Sequence, residues 1–118
     1  MTYKEMRQLS GMTQQKFADF FGIPKRTVQN WDLEQSPCKQ YLIDLLAYRL
    51  QHDKEALFER VYFHIKDLRV ATGMTQKEYS EYFGLTLGTL KNWESCKHCL
   101  DYLVALMEYK LTAEKIIK

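Results

Sequence analysis

Several things are scarce in this chain of 118 residues, and each scarcity removes a class of function. Only five glycines are present and none belongs to a glycine-rich phosphate loop; no nucleophile and base stand in a recognisable context either, so an enzyme is not expected. Three cysteines (Cys38, Cys96, Cys99) make an odd number without framework spacing, which fits a reducing compartment rather than a disulfide scaffold. The apolar runs stay far below the roughly 18 residues of a membrane span. The opening MTYKEMRQLS has no apolar core of a signal peptide, so a cytoplasmic protein with no membrane partner is expected. Charge of one sign is lacking too: 17 basic against 15 acidic residues leave +2, and the global field says little for nucleic acid.

What is present is apolar material and repetition. A hydrophobic share of 46% and an aromatic share of 14% suffice for a packed core. The length suits one ordinary domain or two units of about 60 residues each. The phrase GMTQ decides between them, because it occurs at Gly11–Gln14 and again 62 positions later at Gly73–Gln76. In the same register Arg7 falls on Arg69, Phe21-Gly22 on Phe83-Gly84, Thr27 on Thr89, and Asn30-Trp31 on Asn92-Trp93. After a one-residue deletion in the second copy, Tyr41-Leu42 falls on Tyr102-Leu103 and Tyr48 on Tyr109. Two like units in tandem, residues 1–52 and 53–118, account for this.

Within each unit the spacing is helical. Phe17, Phe20 and Phe21, and likewise Tyr79, Tyr82 and Phe83, recur at i, i+3 and i+4, as one buried helix face requires. Thr13 and Thr75 stand where an N-cap belongs, and Gly22 and Gly84 close the helices that follow. A further helix begins near Pro24 or Thr86 and runs to Trp31 or Trp93, whose indoles read as core. Helix, short glycine-centred turn and helix make a helix-turn-helix unit. Tyr3–Leu9 forms an earlier amphipathic helix, and a long apolar helix follows in each copy through Tyr41–Leu50 and Tyr102–Leu111. The connection between units lacks proline, glycine or a serine run and reads as helical or a tight bend. The fold expected is all-α.

At Arg7, Gln14, Gly22, Trp31 and Asp32, and again at Arg69, Gln76, Gly84, Trp93 and Glu94, the sequence resembles the phage lambda repressor/Cro-like helix-turn-helix family. The resemblance covers both copies, hence most of the chain. It implies two tandem lambda repressor-like units, sequence-specific binding of double-stranded DNA, and repression of transcription without a cofactor, metal or catalytic residue. It marks Lys25, Arg26 and Asn30 as base-reading, with Thr27 and Gln29 near enough to assist. Arg and Lys suit guanine and Asn suits adenine in the major groove. Gln14 and Gln76 resemble the glutamine that reaches a phosphate while steadying the reading helix; Lys39 and Gln40 stand where the flanking backbone is contacted. The resemblance makes Arg7 with Asp32, and Arg69 with Glu94, structural salt bridges.

The second copy departs at the reading positions, where Lys25-Arg26 becomes Leu87-Gly88. Thr86, Lys91, Asn92, Lys97 and His98 remain as phosphate or base contacts. Leu87 either touches a thymine methyl or meets a protein. The halves are therefore expected to be unequal, the first reading sequence and the second reading a weaker half-site or offering an assembly surface. A homodimer through the last helix or the second copy is a further alternative. So is a protein partner bound by the second unit, in the manner of an antitoxin or a mobile-element inhibitor. CKHC at Cys96–Cys99 has metal-like spacing but lacks a second ligand pair, so reduced structural thiols are the reading. Glu55, Glu59, Asp101 and Glu108 read as a solvated acidic face.

Overall fold

The computed structural model describes residues 1–52, 59–96 and 99–117, with the Cys96 side chain excepted. The described residues form eight helices and no strand: α1 (Tyr3–Ser10), α2 (Gln14–Phe21), α3 (Lys25–Asp32), α4 (Gln40–His52), α5 (Ile65–Thr72), α6 (Gln76–Phe83), α7 (Leu87–Cys96) and α8 (Asp101–Ala113). The chain divides into two compact units, Met1–Lys54 and Glu55–Lys118, each with four of these helices. No helix among the described residues is long and apolar enough to cross a membrane.

The helices are short, so their ends matter as much as their faces. Thr13 caps α2 by accepting the Lys16 N–H at 3.1 Å, and Thr75 caps α6 by accepting that of Glu78 at 3.1 Å. In α6 the Glu78 carboxylate returns the bond to the Thr75 N–H at 2.9 Å; Lys16 occupies the matching place in α2 and closes no such box. Gly22 and Gly84 end these helices with φ of 69° and 71°, left-handed values that a side chain would strain. A second box opens α1, where Thr2 and Glu5 exchange bonds of 3.2 and 3.1 Å.

In the first unit α2 packs on α3 and α1 on α4; in the second α6 packs on α7, and α5 on α7 and α8. The aromatic stripes lie in these cores. Phe17 and Phe21 are buried with ring centres 4.8 Å apart, and Tyr79 and Phe83 repeat the pair at 4.8 Å. The outer ring of each stripe meets a cation: Arg49 lies 5.3 Å from the Phe20 ring and Lys110 lies 5.0 Å from that of Tyr82. Trp31 is buried, whereas Trp93 is half-buried.

The reading of Glu108 as solvated is corrected. Of the two readings of the connection, helical or a tight bend, the helical one does not hold over its described residues 59–64. These residues are tied down by Glu108, which is no solvated residue: 2% exposed on α8, its carboxylate accepts the Val61 N–H at 2.8 Å and the Tyr62 N–H at 3.1 Å. A helix would have consumed those N–H groups internally; the non-helical backbone leaves them to a buried acceptor. Asp101 has a partner as well, since Arg60 Nη1 donates to it at 2.8 Å. Glu55 lies outside the described residues.

Candidate nucleic-acid interface

Every letter of the doubled phrase has a structural task around one arginine. Gly11 and Gly73 end α1 and α5 with φ of 62° and 78°. The Met12 and Met74 carbonyls then accept Nη1 of Arg7 at 2.6 Å and of Arg69 at 3.0 Å. Thr13 and Thr75 cap the next helix. Gln14 and Gln76 donate their side-chain amides to Asp32 at 3.0 Å and Glu94 at 3.3 Å. The same arginine, phrase and carboxylate thus join the first three helices of each unit.

The carboxylates are engaged differently. Arg69 donates from Nε and Nη2 to the two oxygens of Glu94, at 2.8 and 3.1 Å. Arg7 Nε lies 3.3 Å from Asp32 Oδ1 but is not aimed to bond, although it is buried. The Tyr3 hydroxyl instead donates to Asp32 at 2.6 Å. Burial and that bond hold the Tyr3 phenol well above its usual range.

This frame presents the start of α3 outward. Val28 and Trp31 are buried on one side, while Lys25 and Arg26 are exposed and Thr27, Gln29 and Asn30 are half-buried. Lys39 is exposed on the turn before α4. Gln40 is committed locally, donating to Asp44 at 2.8 Å and to the Met1 carbonyl at 3.2 Å. In the second unit Thr86 accepts the Thr89 N–H at 3.1 Å and so serves as a cap, and Lys91 and Asn92 are exposed. Lys97 and His98 lie outside the described residues.

Beside each carboxylate is a cavity at a matching place of the repeat. One of about 600 Å³ is lined by Tyr3, Trp31, Asp32 and Cys38, and one of about 280 Å³ by Ile65, Trp93, Glu94 and Cys99. Burial pushes both thiols up to about 12, which keeps them protonated near neutral pH and poor as nucleophiles or ligands. Among the described residues no cluster of three His, Cys, Asp or Glu side chains is placed to hold a metal. Sequence reasoning missed Tyr3 and Glu108, whose roles depend on partners 29 and 46 or more residues away.

No family model matches the chain, and neither a curated protein nor a solved structure matches it significantly.

Proposed function

We propose that the chain is a sequence-specific DNA-binding regulator, a repressor built from two tandem lambda repressor-like helix-turn-helix units. The observation that carries this reading is the outward start of α3: Lys25 and Arg26 are exposed on the first turn of a helix whose opposite side, Val28 and Trp31, is buried. Such a helix enters a major groove end-on, with Lys25 and Arg26 toward guanine and Asn30 toward adenine. The Gln14 amide has two N–H groups; one bond to Asp32 leaves the second to reach a phosphate. Charge agrees in sign, since the first unit carries eight basic against six acidic residues. Binding blocks another protein's access to the same DNA and involves no chemistry.

The test is binding to the DNA upstream of its own gene at two salt concentrations, beside a Lys25→Ala/Arg26→Ala variant. Each single substitution costs about 1–3 kcal/mol on a cognate site. Wild-type affinity should fall steeply with salt as counterions are released. Equal binding by variant and parent sinks the assignment.

A second reading, a protein-interaction module of the antitoxin or inhibitor kind, is favoured by one observation. The second unit, with nine basic and nine acidic residues, exposes Val61 by 65%, Phe63 by 58% and Leu100 by 53%. Salt-insensitive binding of a protein, with no DNA binding, is its signature.

A further inference from the structure

Four of the five glycines have an evident conformational reason, because Gly11, Gly22, Gly73 and Gly84 all have positive φ. Gly88 has none. It is the second residue of α7, has no positive φ, and a Cβ built on it would meet no atom within 4 Å. Glycine is the poorest helix former after proline, yet neither the backbone nor the packing of this protein calls for it here. The remaining physical use of a missing side chain is the close approach of something outside the molecule.

The surface around Gly88 says what approaches. Leu87, Gly88, Lys91 and Asn92 occupy on α7 the positions that Lys25, Arg26, Gln29 and Asn30 occupy on α3. All four are exposed, Leu87 by 36%. The acid of this helix, Glu94, is turned inward and held by Arg69 at 2.8 and 3.1 Å. A phosphate backbone therefore meets a lysine with no opposing carboxylate from α7, whereas an apolar protein surface would have to bury Lys91 and Asn92 without partners.

Resting on the DNA-binding reading, we infer that α7 lies closer in the major groove than α3 and reads A·T pairs. Gly88 clears the space, Leu87 contacts a thymine 5-methyl group, and Asn92 pairs with adenine. The target is then asymmetric, with guanines under α3 and A·T pairs alone under α7.

The experiment selects duplexes from a randomised library with the full chain and then measures affinity at one salt concentration. The expected result is an asymmetric site of this kind. Deoxyuridine in place of thymidine in the A·T half, which deletes only the methyl groups, should weaken the wild type about fivefold and leave Leu87→Ala unaffected. Gly88→Ala should raise the melting temperature while weakening DNA binding at least tenfold, a combination that misfolding cannot produce. If Gly88→Ala binds like the wild type and deoxyuridine has no effect while Lys25→Ala/Arg26→Ala loses binding, the DNA reading stands and the role of α7 falls. If the wild type selects no duplex, both fall, and this face of α7 becomes a protein contact.

Discussion

Arg69 grips Glu94 with two hydrogen bonds of 2.8 and 3.1 Å, whereas its counterpart Arg7 only approaches Asp32, at 3.3 Å. The cause is a pair of linked differences between the copies. Glutamate is one methylene longer than aspartate and reaches a guanidinium fork squarely. Where the second copy has Ile65, the first has Tyr3, whose hydroxyl takes Asp32 Oδ1 at 2.6 Å. The first unit thus exchanges a two-pronged ion pair for a tyrosine hydrogen bond to a shorter carboxylate, the glutamine bond being common to both copies.

Double-mutant cycles should separate these designs. Arg69→Met or Glu94→Ala is expected to cost about 3–5 kcal/mol, because either leaves a largely buried charge without its counter-ion. Coupling between Arg7 and Asp32 should be weaker, and Tyr3→Phe should cost about 1 kcal/mol. Denaturant unfolding of single and double variants measures each quantity; an equal coupling energy in the two copies would contradict the geometry.

Alkaline pH should destabilise the protein from the range in which an unfolded thiol ionises. Both Cys38 and Cys99 are held up to about 12 by burial, while an unfolded thiol ionises near about 8.5. A raised folded-state value means that the native state retains protons the unfolded chain has lost. The contribution is complete below about pH 8.5 and is lost as pH rises toward about 12. Unfolding midpoints recorded from pH 7 to 11 should fall from about pH 8.5, and Cys38→Ala/Cys99→Ala should flatten that slope.

Glu108→Ala should leave the Val61 and Tyr62 N–H groups without their acceptor and cost about 3 kcal/mol, whereas Glu108→Gln keeps one acceptor oxygen and costs about 1–2 kcal/mol. Limited proteolysis should report the same order, with cleavage between residues 59 and 64 fastest in the alanine variant. The equivalent residue of the first unit is Ala47, so no matching effect is available there.

Alanine should act with opposite signs at two glycines four residues apart. At Gly84, with φ of 71°, it forces a side chain into the left-handed region and should cost about 1–2 kcal/mol. At Gly88, in the first turn of α7, it improves helix propensity in open space and should stabilise by less than the helix-interior value of about 1 kcal/mol. Thermal melts of the two variants check this without any ligand.

Apart from the Arg7–Asp32 and Arg69–Glu94 pairs, which the resemblance supplies, the interactions legible in the sequence are those closed within one turn of chain. Thr13 and Thr75 cap at i+3, Gly22 and Gly84 end the next helix, and Phe17 with Phe21 or Tyr79 with Phe83 repeat at helical spacing. Local backbone geometry alone dictates such bonds, and finding each of them twice at one offset distinguishes pattern from accident. Glu108 reads as solvated from sequence because a carboxylate on an exposed helix face and one beneath a non-helical segment have the same local sequence. What distinguishes them is a stretch of backbone 46 and 47 residues away, lying across α8 with its N–H groups turned inward. Tyr3 hid its task similarly, because only the approach of α1 to the end of α3 brings its hydroxyl to Asp32. Local periodicity and capping belong to the sequence; the partners of Glu108 and the bond of Tyr3 to Asp32 were decided by tertiary structure, since desolvation compels a partner but leaves the fold to supply it.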